Sequence, residues 1–171
     1  REIAKRAVFL LQKDLRDGYE HLLLVRAKTI ARAEELFDNI YNKYYSEFKP
    51  ILITNRQSAK EKKERMEQLK SLESKILVCV DMFGEGIDIP NLKIAAIHDK
   101  YKSIPITLQF IGRFARTAEK LGDAKIVANI ADDDIVDAIE ELYEKDTDWN
   151  QLLPLKSNEY IDKELSLQKL I

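Results

Sequence analysis

Ile76-Leu77-Val78-Cys79-Val80-Asp81-Met82-Phe83-Gly84-Glu85-Gly86-Ile87-Asp88-Ile89-Pro90 begins as an unbroken apolar run and passes directly into a turn with two glycines and three acids. An apolar run of this length, rich in Ile, Val and Leu and bounded by turn residues, reads as a strand covered on both faces. Runs of the same kind recur at 21–25, 51–54, 92–97 and 125–130. Between them the period becomes helical: Ile30, Ala33, Phe37, Ile40, Tyr41 and Tyr44 follow the i, i+3, i+4 spacing that gathers them on one helix face. Further helices are predicted over 4–15, 59–71, 104–116 and 133–143. Gly18 follows the first of these, Ser58 and Ser103 stand at N-cap positions, and Pro105 falls near a helix start. Alternating helix and strand predicts an α/β fold with a mostly parallel sheet.

The bulk numbers set the limits. At 171 residues and 45% hydrophobic, the chain can bury one core. No apolar run approaches the ~20 residues that cross a bilayer, so no membrane association is expected. The single cysteine, Cys79, lies inside an apolar run and predicts a buried thiol in a reducing, cytoplasmic compartment. The first residue is Arg1, which marks a fragment or a processed chain. A net charge of -2 does not announce a nucleic-acid partner, but the charge is unevenly spread. Nine acids crowd 131–148 against the single base Lys145, and Lys60, Lys62, Lys63, Arg65 and Lys70 share one predicted helix. Glu61, Glu64 and Glu67 on that helix make a solvated face an equally good reading.

Two segments carry chemistry. In an open α/β sheet ligands bind beyond the carboxyl ends of the strands. After the strand at 76–80, Gly84 and Gly86 would let backbone approach a ligand, and Asp88 could accept hydrogen bonds from a sugar hydroxyl. Alone, that turn reads better as an ordinary tight turn. The second segment is Gln109-Phe110-Ile111-Gly112-Arg113-Phe114-Ala115-Arg116, where helical spacing puts Gln109, Arg113 and Arg116 on one face. Two guanidinium forks beside an amide suit phosphoryl oxygens, although surface arginines on an exposed helix would read the same way.

Together, the Asp-Met-Phe-Gly-Glu-Gly-Ile-Asp-Ile-Pro turn and the Gln-x-x-Gly-Arg-x-x-Arg helix resemble motifs V and VI of superfamily 2 helicases of the DEAD/DEAH-like kind. The resemblance covers roughly 18–129. It implies a RecA-like three-layer α/β/α domain, placed over 1–148, and the pattern beyond it predicts a C-terminal helical extension over 149–171. It implies that the chain is the second motor domain of an ATP-dependent helicase or translocase, paired with an N-terminal RecA-like domain of the same parent chain. In such motors ATP, with Mg2+, sits between the two domains. Arg113 and Arg116 match the arginines that reach the γ-phosphate, and Gln109 matches the residue that positions the same network. Asp88 matches the acid at the ribose, and Gly84, Glu85 and Gly86 match the loop between nucleotide and nucleic acid. Arg26, Lys28, Thr54 and Asn55 resemble the strand ends that grip a sugar-phosphate backbone. Because motif VI begins with Gln109 where DEAD-box proteins carry histidine, the chain resembles restriction and excision-repair DNA helicases more than DEAD-box RNA helicases. DNA is therefore the expected partner, with RNA possible.

The sequence contains no Gly-x-x-x-x-Gly-Lys-Ser/Thr loop and no Asp-Glu-x-His or Asp-Glu-Ala-Asp box. The isolated chain is therefore expected to be inactive, with nucleotide and metal held mainly by the first domain. His21 and His98 lack partners at metal-ligand spacing, and Asp132, Asp133 and Asp134 suit a helix start better than a metal. The alternative is a degenerate RecA-like module that binds nucleic acid or protein without supporting hydrolysis.

Overall fold

The computed structural model describes residues 1–80, 89–99, 122 and 125–127. Helix α1 (Glu2–Arg16) leads to β1 (Leu22–Arg26), α2 (Ile30–Leu36), a π turn (Phe37–Tyr41) and the short α3 (Asn42–Tyr44). After a 3-10 turn (Ser46–Phe48) come β2 (Ile51–Ile53), α4 (Ala59–Lys70), β3 (Ile76–Cys79), β4 (Leu92–Ile97) and β5 (Lys125–Val127). The predicted helices over 104–116 and 133–143, the caps Ser103 and Pro105, and the extension over 149–171 lie outside the described residues.

All five strands run parallel in the order β2-β3-β1-β4-β5. Parallel neighbours must be joined by crossovers, and side chains alternate between the two faces of each strand. Leu23, Val25, Ile76, Val78, Ile94 and Ala96 pack with Ala4, Ala7, Val8 and Leu11 of α1 and with Ala33 and Leu36 of α2. Leu22, Leu24, Leu77, Cys79 and Leu92 face the other way and pack with Leu69 of α4. The result is a three-layer α/β/α domain. The crossovers β1-α2-β2 and β2-α4-β3 travel in opposite directions along the sheet and lie on opposite faces, as a single crossover handedness requires.

Local chemistry sets the element ends. Ser58 and Glu61 form a reciprocal capping box at the start of α4, and Thr29 caps α2 by accepting from Arg32 N–H at 3.2 Å. Gly18 leaves α1 with φ +89°, a left-handed conformation that glycine adopts without strain.

The helix predicted through Tyr44 departs from its periodicity. A π turn at Phe37–Tyr41 adds a residue to the winding, so side chains beyond it rotate off the stripe set by Ile30 and Ala33. Tyr41 is fully buried, whereas Tyr44 is 45% exposed instead of joining the core. Arg1 and Lys43 lie over the Tyr44 ring.

At the amino edge of the sheet, a buried charged group ties three elements together. Asp14, on the last turn of α1, sits 2.7 Å from His21 Nδ1 and pairs with Lys125 of β5. The Tyr19 ring stacks on His21 at 4.9 Å, and a Cβ at Gly122 would come within 3.2 Å of that ring. Removing Asp14 would leave a buried histidine and a half-buried lysine without their carboxylate.

Leu69 is the one buried residue of α4. Leu69→Ala is expected to destabilise this chain by roughly 2–4 kcal/mol in urea unfolding, through lost burial and the cavity left behind. A loss below about 1 kcal/mol would contradict the packing of α4 on the second face.

Candidate functional site

Parallel strands bring all their carboxyl ends to one edge, and the described candidate residues lie there. Arg26 ends β1, in register with Cys79 of β3 and Ile97 of β4. By alternation it shares a face with Leu22 and Leu24. Burial pushes the Cys79 thiol up to about 12, the nearby Arg26 charge offsetting a part of that rise, so the thiol stays protonated at neutral pH.

Beyond β1 the chain turns into α2, and the turn is fastened from both sides. Ala27 N–H donates to the Cys79 carbonyl at 2.9 Å. Lys28 N–H donates to Asp99 Oδ2 at 2.9 Å, while the Lys28 side chain is exposed. Arg32 Nε donates to Asp99 Oδ1 at 3.2 Å, and its Nη1 donates to Glu35 at 2.7 Å. These carboxylates, Glu35 foremost, raise the guanidinium's pKa further.

The end of β2 lies two strand spacings from β1 with β3 between them, about 10 Å away. Thr54 is fully buried there, with its hydroxyl accepting from Arg56 N–H at 3.3 Å and donating to Gln57 Oε1 at 3.4 Å. Thr54 therefore shapes the turn, and the exposed polar group beside it is Asn55. Arg56 donates to both oxygens of Glu34 at 2.8 and 3.1 Å, lacing α2 to β2 as Arg32 laces it to β4.

Arg26, Lys28 and Asn55 thus stand along one edge and can offer cationic and amide donors to an extended anionic backbone. Gly84, Glu85, Gly86, Asp88, Gln109, Arg113 and Arg116 lie outside the described residues. Val80, at the carboxyl end of β3, is the last described residue before the glycine turn. The exposed bases of α4 stand among acids, with Lys60 3.9 Å from Glu64 and Lys70 3.7 Å from Glu67. Arg65 is part-buried and donates to the Leu52 carbonyl, so it fastens α4 to β2 rather than facing solvent. Among the described residues no group of three or more His, Cys, Asp or Glu could hold a metal ion.

Asp99, Arg32 and Arg56 are functional-edge residues that the sequence reading passed over. An acid just beyond β4, level with a basic turn beyond β1, was the available signal. Beside it, His98 Nε2 and the Tyr41 hydroxyl are 2.8 Å apart, and burial raises the pKa of that phenol. Burial, with smaller effects of the amino terminus and Arg32, pushes His98 down to about 4.

Residues 6–118 match the helicase conserved C-terminal domain. DEAD-box ATP-dependent RNA helicase 15 of Arabidopsis thaliana is 30% identical over 136 residues, 78% of this chain and 31% of the relative. ATP-dependent RNA helicase SUB2 of Candida glabrata is 28% identical over 122 residues, 71% of this chain and 27% of the relative. The chain thus spans less than a third of the curated relatives it matches. Among solved structures, domain 2 of the DEAD-box helicase Mss116p bound to an RNA duplex aligns with a TM-score of 0.60 at 17% identity, covering 83% of this chain and 54% of that one. The C-terminal domain of the DEAD-box protein Dbp5 aligns with a TM-score of 0.56 at 13% identity, covering 73% and 69%. The relatives named are RNA helicases, and none of these names supports the expected preference for DNA.

His98 makes the fold pH-sensitive in a definite direction. Its folded pKa of about 4 lies below the ordinary 6.5, so its contribution is complete above 6.5 and is lost as pH falls towards 4. Between pH 7.5 and 5, unfolding free energy is expected to fall by about 2 kcal/mol more in this chain than in His98→Gln. Parallel pH profiles for the two proteins would contradict the half-buried, neutral imidazole.

Proposed function

The chain belongs to the helicase conserved C-terminal domain family, and on that premise we propose that it is the second motor domain of an ATP-dependent RNA helicase or translocase. Its partner in that reading is a first RecA-like domain of the same parent chain. The observation that carries the reading is that the family match runs through both the Gly84–Asp88 turn and the Gln109–Arg116 segment on a parallel sheet of this order. The motor occupies 1–148 in this reading, with 149–171 as its extension. A buried, reduced Cys79 is in keeping with a cytoplasmic home.

ATP is the substrate, and its magnesium would be held by the first domain. This chain lacks the glycine-rich loop and acidic box that hold them. Arg113 and Arg116 act as arginine fingers, spreading positive charge over the oxygens of the γ-phosphoryl group as it leaves. Gln109 orients them, and Asp88 accepts from the ribose. Gly84, Glu85 and Gly86 line the passage between nucleotide and nucleic acid. Arg26, Lys28 and Asn55 hold the sugar-phosphate backbone, and the buried Thr54 keeps the Asn55 turn in shape.

RNA is preferred because the relatives named above are RNA helicases. Gln109 in place of the histidine of DEAD-box proteins is the one observation that favours DNA, which is the second reading.

The test is ATP hydrolysis by the parent protein with single-stranded RNA or DNA, comparing wild type with Arg116→Ala. RNA stimulation that falls at least about a hundredfold in the variant is the expected result, the scale of a lost arginine finger. An unaffected rate removes Arg116 from the reaction, and stimulation by DNA alone decides for the second reading. A parent without ATPase activity decides for a binding module.

A further inference from the structure

We propose that Asp99 is a positioning residue for nucleic-acid binding, its carboxylate holding the β1-α2 turn in the shape from which Arg26 and Lys28 grip a phosphate backbone. The inference rests on the helicase reading above and adds to it a residue outside the motifs on which that reading stands.

An acid at an edge that binds phosphate repels the ligand unless its charge is taken up. Both Asp99 oxygens are occupied, one by Lys28 N–H at 2.9 Å and the other by Arg32 Nε at 3.2 Å. The Asp99 side chain is only 18% exposed, so these charge-assisted bonds are partly shielded from water. Arg32 is itself shared with Glu35, which commits it to the scaffold and away from phosphate.

The turn is thereby pinned through consecutive backbone N–H groups, Ala27 to β3 and Lys28 to the end of β4. Asp99 is steadied in turn by its neighbour His98, which meets the buried Tyr41 hydroxyl. Exposed lysines on a loop bind phosphate well only when the backbone beneath them is already ordered, because ordering it on binding costs affinity. A carboxylate that bonds the Lys28 backbone, and leaves the Lys28 ammonium exposed, supplies that order.

The test uses the parent protein and a single-stranded RNA oligonucleotide, reading the RNA concentration that half-saturates ATPase stimulation together with the KM for ATP. Asp99→Ala is expected to raise RNA half-saturation about tenfold while KM for ATP stays within about twofold. Asp99→Asn keeps an oxygen for Lys28 N–H and should recover to within about threefold of wild type. Arg32→Gln, which leaves that backbone bond in place, should also stay within about threefold but weaken RNA measurably. The proposal is overturned if Asp99→Ala lies within twofold of wild type, if RNA half-saturation and KM for ATP rise together, or if Asp99→Asn brings no recovery. Should Asp99→Ala fail to fold, wild-type RNA half-saturation in both of the other variants overturns it equally. A wild-type parent that neither RNA nor DNA binds or stimulates overturns the helicase reading itself, a result seen before any variant is made.

Discussion

Five strands that point the same way must have all their carboxyl ends on one edge, and almost everything else about this domain follows from that constraint. Each parallel strand needs a crossover to reach its neighbour, so helices cover both faces and the strands are apolar on both sides. The described turns after β1 and β2 run into crossovers, and the backbone there has polar groups that the sheet does not satisfy. Those turns are the natural place for ligand contacts.

The two edges of the sheet divide the work. At the amino edge, Asp14, His21 and Lys125 join α1, β1 and β5 through a buried ion pair roofed by Tyr19. Its groups are inward-facing and committed to each other. At the carboxyl edge, the charged pairs are spaced around exposed donors: Arg32 with Asp99 on one flank of α2, Arg56 with Glu34 on the other. Among the described residues there, Asp99 and Glu34 serve the scaffold, while Lys28 and Asn55 remain exposed. An edge with paired acids and exposed donors is suited to an anionic polymer even on a chain whose net charge is -2.

The layers of this fold were legible because the strands are short apolar runs and the helices between them are amphipathic, as β3 and α1 illustrate. Strand ends moved by a residue or so; β1, expected from His21, starts at Leu22 because His21 turns inward to Asp14. The π turn was not legible, since Phe37, Ile40 and Tyr44 keep helical spacing and only tertiary packing decides that Tyr41 alone is fully buried. The reading put Arg26, Lys28, Thr54 and Asn55 at strand ends, and they stand at the carboxyl edge of the sheet. It could not separate Thr54 from Asn55, because adjacent polar residues at a strand end differ only in which way the turn rolls them. Asp99 was invisible for a related reason. Its partners Lys28 and Arg32 are about seventy residues away in sequence, brought beside it only by the pairing of β1 with β4.

The central claim is that this chain supplies half of an ATPase site and needs a first motor domain to complete it. The most direct measurement is ATP turnover by the isolated 171-residue chain beside that of the parent protein, each with saturating single-stranded RNA. The account predicts turnover by the parent alone and none above background by the isolated chain. Turnover by the isolated chain at a rate comparable to the parent would contradict it.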